Sequence, residues 1–227
     1  MKLDERLARI RAILFDIDGT LANTDDDYID RIASFMKPFH LINSGRTSRE
    51  WARWLVTHTE TPANLMKTVM DRLYIDELIG AVSDRLHLIT GSSPVNRLTM
   101  IEGIHAMLEE LRREYRLAIV TAREQRSSMA FLDQFALLPY FEVIVTARTT
   151  LRSKPHPAPI EYAAKQLGVQ VGQCVMVGDT TVDMRSASSA GALGVGVLCG
   201  FGQREELLAA GADIIIGETR ELTDLLL

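Results

Sequence analysis

Polar side chains that could do chemistry follow four short apolar runs of the sequence. In chain order they are Asp16 with Asp18, then Thr121, then Lys154, and finally Asp179 with Asp183. If the apolar runs are neighbouring parallel strands, their carboxyl ends lie at one edge of a sheet, where open α/β sheets bind ligands. Four carboxylates, one hydroxyl and one amine would then face a common site.

The formal charge of this set indicates what else the site must hold. The four aspartates contribute −4 and Lys154 contributes +1, which gives −3. Carboxylates at close range repel one another unless a cation or a proton offsets their charge. Because carboxylate oxygens are hard ligands, the residues predict a Mg²⁺ site beside an aspartate that can carry a proton.

The spacing of the aspartates is compatible with a shared site. Asp16 and Asp18 are two positions apart, so on an extended strand their side chains point to the same side. Asp179 and Asp183 are four positions apart. If Thr180 starts a helix, both lie on one face of its first turn.

The elements that position these residues can be predicted from the hydrophobic pattern. Six short runs are apolar on both faces, which is typical of strands covered on both sides of a sheet. The predicted strands are Ile13–Phe15, Leu117–Val120, Val143–Val145, Cys174–Val177, Leu193–Leu198 and Ile214–Ile216. Because helical patterns lie between them, the alternation predicts an α/β fold with a doubly wound, mostly parallel, Rossmann-like sheet.

Two helices of this core have clear signals. One apolar helix face is predicted from a spacing of three to four residues, and it consists of Ile101, Ile104, Leu108 and Leu111. A second helix is predicted over residues 157–167, with Gly168 as its left-handed C-terminal cap.

Residues 23–96 break the alternation, because their pattern predicts helices and no convincing strand. Thr47 and Glu50 fit a capping box at the start of one helix. Thr61 and Pro62 fit the start of another.

This pattern predicts two domains. Residues 1–22 and 97–227 form the α/β catalytic core, and residues 23–96 form an all-helical cap inserted after the first strand. Arg46 and Arg49 of the cap are interpreted as surface residues, with contact to an anionic part of the substrate as the alternative.

The composition restricts the class of protein. The chain has 227 residues, of which 47% are hydrophobic, so it can bury a sizeable core. Its net charge of −5 argues against nucleic acid or an anionic membrane as the main partner. Cys174 and Cys199 lie in apolar runs, which predicts buried free thiols. Since no apolar stretch approaches the ~20 residues of a membrane span, we expect a cytoplasmic protein.

The motifs resemble those of the haloacid dehalogenase-like hydrolase superfamily. D-I-D-G-T-L from Asp16 matches its first motif, Thr121 its second, Lys154 its third, and G-D-T-T-V-D its fourth. The stretch from Lys154 to Ala190 is similar to the phosphoglycolate phosphatase branch, in which the insert between the first two motifs is a C1 cap. The resemblance implies a Mg²⁺-dependent phosphatase acting on a small phosphorylated metabolite.

The resemblance also implies a role for each matched residue. Asp16 would be the nucleophile that forms an aspartyl-phosphate, and Asp18 would be the general acid and base. Asp16, the backbone carbonyl of Asp18, and Asp179 would bind Mg²⁺. Thr121, the amide of Ala122 and Lys154 would bind the phosphoryl group, and Asp183 would orient Lys154 or a metal-bound water.

Two other functions are compatible with the same residues. A phosphosugar mutase uses the same aspartates and returns the phosphoryl group to the sugar. A receiver-like regulatory module also combines acidic residues, a threonine and a lysine on a doubly wound sheet, but it carries no helical insert. The sequence leaves open which phosphoester is bound and whether the chain is a monomer or a homodimer.

Overall fold

The structure is a computed structural model that describes residues 3–23 and 99–227. These residues belong to one compact unit, formed by residues 1–25 and 98–227. The predicted helical cap, with its capping residues Thr47 and Glu50 and with Arg46 and Arg49, lies outside the described residues and stays a prediction.

The core is a six-stranded sheet in which every neighbouring pair of strands is parallel. Its strands are β1 (Ala12–Phe15), β4 (Arg116–Val120), β5 (Val143–Val145), β6 (Cys174–Gly178), β7 (Leu193–Val197) and β8 (Ile214–Ile216). Their spatial order is β5-β4-β1-β6-β7-β8. The order reverses direction at β1, so the sheet is doubly wound as predicted. The predicted strand boundaries agree within one residue.

Short helices precede, connect and follow the strands. They are α1 (Leu3–Leu7), α2 (Ile104–Leu111), α3 (Gln125–Gln134), α4 (Ala158–Leu167), α5 (Thr181–Ala190), α6 (Arg204–Ala209) and α7 (Leu222–Leu226). Single 3₁₀ turns occur at Leu138–Tyr140, Val171–Gln173 and Thr219–Glu221.

The two faces of the sheet carry separate hydrophobic layers. Ile13 and Phe15 of β1 face the layer that contains the apolar sides of α2, α3 and α7. Ala12 and Leu14 of the same strand face the layer that contains α4 and α5. This alternation explains why β1 is apolar at every position, since both of its faces are buried.

The structure corrects one helix boundary. Helix α2 begins at Ile104, so Ile101 precedes the helix and the buried face is Ile104, Met107, Leu108 and Leu111. The chain enters the helix at Gly103, whose φ of +84° is left-handed and therefore favours glycine. The predicted cap of α4 is confirmed, because Gly168 is left-handed with φ +68°.

A second small sheet lies at the ends of the two described segments. Strand β2 (Ala22–Asn23) pairs antiparallel with β3 (Thr99–Met100), and Ala22 lies opposite Met100. The two points at which the chain leaves and re-enters the described residues are therefore neighbours in space.

Candidate active site

Asp16 lies directly beyond the end of β1. Its backbone N–H donates a hydrogen bond to Val177 O at 3.0 Å, which continues the pairing of β1 with β6 by one residue. The side chain is buried, and its Oδ1 lies 3.0 Å from the Lys154 ammonium. This contact is an ion pair by distance, but Oδ1 has no hydrogen-bond partner of good geometry among the described residues.

Asp18 reaches the same region by a different route from the one predicted. Strand β1 ends at Phe15, so Asp18 is not on an extended strand, and the prediction that the strand orients both aspartates is wrong. The chain turns instead, with the N–H groups of Leu21 and Ala22 both donating to Ile17 O. Asp18 Oδ2 lies 2.8 Å from Arg123 Nε.

Thr121 follows β4, the neighbour of β1, and is buried. Its N–H donates to Val145 O at 2.9 Å, and its Oγ1 accepts a hydrogen bond from the N–H of Arg123 at 3.2 Å. Ala122, between them, is half-buried. A hydroxyl and a backbone amide therefore lie at the carboxyl end of the strand next to β1.

Lys154 is buried and connects the ends of β4 and β1 with the first turn of α5. Its ammonium donates to Val120 O at 2.8 Å and to Asp183 Oδ1 at 2.6 Å, and it lies 3.0 Å from Asp16. Burial would lower the pKa of this lysine, but the adjacent carboxylates of Asp16 and Asp183 raise it above its ordinary value. Lys154 is therefore a fixed positive charge beside Asp16.

Asp179 and Asp183 are both buried at the end of β6 and the start of α5. The N-terminal cap of α5 is Thr180, so Asp179 precedes the helix, and only Asp183 lies in its first turn. Asp183 Oδ2 accepts bonds from the N–H of Thr180 at 3.2 Å and from its hydroxyl at 2.5 Å. The prediction that both aspartates lie on one helical turn is therefore wrong, although their carboxylates are close together.

The backbone of two glycines encloses the carboxylate of Asp179. A Cβ atom at Gly19 would lie 2.5 Å from Asp179 Cγ, and one at Gly200 would lie 2.6 Å from it. The N–H of Phe201, the residue after Gly200, donates a hydrogen bond to Asp179 Oδ2 at 2.9 Å. Asp179 Oδ1 is buried and lacks a hydrogen-bond partner in the described part of the chain.

Burial and mutual repulsion shift the acidity of these carboxyl groups. Burial raises the pKa of Asp16 to about 6; the carboxylates of Asp183 and Asp18 also raise it, and Lys154 opposes the shift. Burial, followed by Asp183 and Asp16, raises the pKa of Asp179 well above its ordinary value. Without a further cation, ionising these groups is unfavourable.

These residues fit a divalent cation. One carboxylate oxygen each from Asp16, Asp179 and Asp183 lies within 4.8 Å of the others. Asp16 and Asp179 each have a buried oxygen without a hydrogen bond, whereas both oxygens of Asp183 accept bonds from Lys154 and Thr180. The donor set of hard oxygens suits Mg²⁺, with Asp183 better placed to hold Lys154 than to bind the ion.

Three features of the site were not found from the sequence. The ion pair of Arg123 with Asp18 joins positions 105 residues apart, whereas the sequence favours a charge at a helix start for Arg123, with contact to the substrate as the alternative. The other two features are the close approach of Gly200 to Asp179 and the hydrogen bond from the N–H of Phe201. Both residues lie in the loop after β7, which contains no charged residue that would mark it as part of a site.

The other predictions about individual residues have simpler outcomes. Both cysteines are free; Cys174 is buried and Cys199 is partly buried. Within residues 3–23 and 99–227, no helix is long and apolar enough to cross a membrane.

The comparison with protein families defines the class of this protein. The model of the haloacid dehalogenase-like hydrolases matches residues 13–197. The chain belongs to this family, which confirms the predicted resemblance, the α/β fold and the assignment as a hydrolase-type enzyme.

The proteins with similar sequences include phosphatases of several kinds. Human N-acylneuraminate-9-phosphatase is 29% identical over 203 residues, which cover 82% of this chain and 81% of the relative. Pyrophosphatase PpaX of Bacillus pumilus is 31% identical over 219 residues, with 96% and 95% covered. Phosphoglycolate phosphatase of Nitrosococcus oceani is 24% identical over 224 residues, with 94% and 95% covered.

Solved structures support the fold. The structure of a predicted phosphoglycolate phosphatase from Haemophilus somnus superposes with a TM-score of 0.72 at 22% identity. The match covers 96% of this chain and 99% of that one.

Proposed function

We propose that this protein is a Mg²⁺-dependent phosphatase that hydrolyses small phosphomonoesters through a phosphorylated Asp16. The observation that carries the proposal is the environment of Asp16. Its carboxylate lies at the end of the central strand, has a buried oxygen without a hydrogen bond, and lies 3.0 Å from a fixed ammonium. A nucleophile beside cations that can receive the phosphoryl oxygens is what phosphoryl transfer requires.

Binding of the phosphoryl group would use the ends of three strands. The hydroxyl of Thr121 and the amide of Ala122 would donate hydrogen bonds to its oxygens, and Lys154 would pair with their negative charge. Asp16 and Asp179, with the backbone carbonyl of Asp18, would hold Mg²⁺. The ion would neutralise charge on the phosphoryl oxygens and favour the ionised form of Asp16.

Two half-reactions follow from this arrangement. In the first, an oxygen of Asp16 attacks phosphorus while the bond to the leaving oxygen breaks, and Asp18 gives that oxygen a proton. In the second, Asp18 takes a proton from water as the water oxygen attacks phosphorus. The phosphorus–oxygen bond to Asp16 then breaks, which releases inorganic phosphate and regenerates the carboxylate.

The relatives support the phosphatase class but differ in the names of their substrates. We therefore propose a small phosphorylated metabolite, with phosphoglycolate among the first compounds to test. The sheet residues would contact only the phosphoryl group, so selection among substrates would fall to the cap predicted over residues 23–96. The cytoplasmic location and the choice between monomer and homodimer stay predictions.

The test is a phosphate-release assay over a panel of phosphorylated metabolites with Mg²⁺. We expect turnover that excess chelator abolishes and added Mg²⁺ restores. Asp16→Asn should abolish turnover and retain the fold, which circular dichroism and thermal melting would check. Wild-type turnover in Asp16→Asn, or full activity in chelator after residual metal has been excluded, would contradict the proposal.

The same assay separates the two alternatives from hydrolysis. A phosphosugar mutase would convert sugar phosphates into isomers, which a coupled assay detects, and would release little phosphate. A receiver-like module would retain phosphate on Asp16 without turnover. The family match favours hydrolysis over the receiver-like module.

A further inference from the structure

Arg123 forms an ion pair across the mouth of the site. Its Nε lies 2.8 Å from Asp18 Oδ2, and the side chains are 18% and 35% exposed respectively. The two residues follow β4 and β1, which are adjacent strands of the sheet. The guanidinium therefore bridges the strand that ends in Thr121 and the turn that carries Asp18.

The backbone of Arg123 is fixed from both sides. Its N–H donates to Thr121 Oγ1 at 3.2 Å, and its carbonyl accepts from the N–H of Ala147 at 2.9 Å. The base of the side chain is thus held at the carboxyl end of β4. Asp18 lies in the turn that follows β1, where its backbone forms an isolated parallel bridge with Ala22.

The arrangement of Arg123 is costly in free energy. Its Nη1 is buried and has no hydrogen-bond partner in the described segments. A buried N–H without an acceptor is unfavourable, so burial of this arginine is not explained by stability alone. Such exceptions concentrate at functional sites.

We propose that Arg123 is a positioning residue for Asp18. It restricts the carboxylate to the side of the site that faces the leaving oxygen. This inference rests on the proposed function, in which Asp18 transfers a proton to that oxygen and later takes one from water. Arg123 takes no part in either proton transfer; it acts through the placement of Asp18.

The test compares two substrates that differ in their need for the proton. 4-Nitrophenyl phosphate has a good leaving group, and phenyl phosphate has a poor one that depends on the acid. The measured quantity is the rate of single-turnover phosphorylation of Asp16, because the later hydrolysis step also uses Asp18 and is the same for both substrates. Arg123→Met should lower this rate for phenyl phosphate by about tenfold to a hundredfold, a part of the ~10²–10⁴ that a general acid contributes. It should change the rate for 4-nitrophenyl phosphate by less than about threefold.

Three further variants give the controls. Arg123→Lys keeps one charged donor and should restore part of the lost rate. Arg126→Met removes an exposed arginine from the same segment and should leave the rate with both substrates unchanged. In an Asp18→Asn background, Arg123→Met should cause no additional loss, because the group that it positions is already gone.

The outcomes separate the two proposals. Equal loss of the phosphorylation rate with both substrates, or full loss on top of Asp18→Asn, would show that Arg123 does not act through Asp18 and would overturn the inference alone. Absence of phosphate release by the wild-type enzyme with Mg²⁺ would overturn the proposed function and the inference with it.

Discussion

Substitution of Gly200 by alanine should weaken Mg²⁺ binding without touching any proposed ligand. The added Cβ would lie 2.6 Å from Asp179 Cγ and closer still to Oδ2, whereas ordinary contacts of a Cβ begin at 3.4 Å. Gly200 is not among the residues with positive φ, so the effect is steric and not a matter of backbone strain.

The size of the disturbance follows from these distances. Restoring an ordinary contact with the nearest atom, Oδ2 at 2.2 Å, requires a relative movement of about 1.2 Å, the difference between 3.4 and 2.2 Å. Asp179 cannot turn freely, because the backbone of Gly19 also lies against its carboxylate and the N–H of Phe201 holds Oδ2. Displacing the supports of a ligand typically costs 10–100-fold in metal affinity, and overpacking costs about 1–3 kcal/mol of stability.

The measurement is Mg²⁺ affinity of the purified variant, by calorimetry and by the Mg²⁺ dependence of phosphate release. We expect a Kd for Mg²⁺ about 10–100-fold higher than that of the wild type, with kcat at saturating Mg²⁺ affected less. Gly172→Ala is the matched control, since a Cβ there would meet nothing within 4 Å. A folded Gly200→Ala protein with wild-type Mg²⁺ affinity would refute the assignment of Asp179 as a ligand held by this loop.

Three further predictions concern the charged groups of the site. Asp18→Asn should lower single-turnover phosphorylation by about 10²–10⁴-fold with poor leaving groups and much less with 4-nitrophenyl phosphate; equal losses would exclude the acid role. Lys154→Met leaves two buried carboxylates without their cation, so it should abolish turnover and lower the free energy of unfolding of the metal-free protein by about 3–5 kcal/mol, measured in urea. In metal-free protein the raised pKa of Asp16, about 6 against 3.8, means that the folded state binds more protons than the unfolded chain between these values. Stability should therefore fall as pH rises through this window, by about 3 kcal/mol from Asp16. Added Mg²⁺ should then raise the urea midpoint more at about pH 7.5 than at about pH 5, and an equal effect at both would contradict the shift.

The strands could be predicted because each one contains a short run of apolar residues. Val143–Val145 and Ile214–Ile216 are edge strands that are partly buried, and they have the predicted bounds because every one of their residues is apolar. Ala12 extends β1 by one small residue that a hydrophobic pattern does not distinguish. The start of α2 could not be predicted from periodicity, because Ile101 continues the apolar spacing while Gly103 sets the boundary. The apolar spacing indicates which residues pack against the core, and Ile101 packs against it although it precedes the helix.

The positions of the candidate site residues in the fold could be predicted, but their contacts could not. Asp16, Thr121, Lys154 and Asp179 lie where the sequence places them, since each follows a strand of one parallel sheet. The pairing of Arg123 with Asp18 depends on β4 and β1 being neighbours, and strand order is not encoded in the pattern of any one strand.

The pairing of Arg123 with Asp18 also changes the formal charge of the site, which was −3 when only the four aspartates and Lys154 were counted. Four carboxylates with Lys154 and Arg123 give −2, so one divalent cation brings the whole set to neutrality. The two cations occupy different depths: the Lys154 side chain is 3% exposed and that of Arg123 is 18% exposed. The buried pair holds the group that would be phosphorylated in a fixed place. The outer pair holds Asp18, which must meet both the leaving oxygen and the incoming water, at the side of the site that solvent can reach.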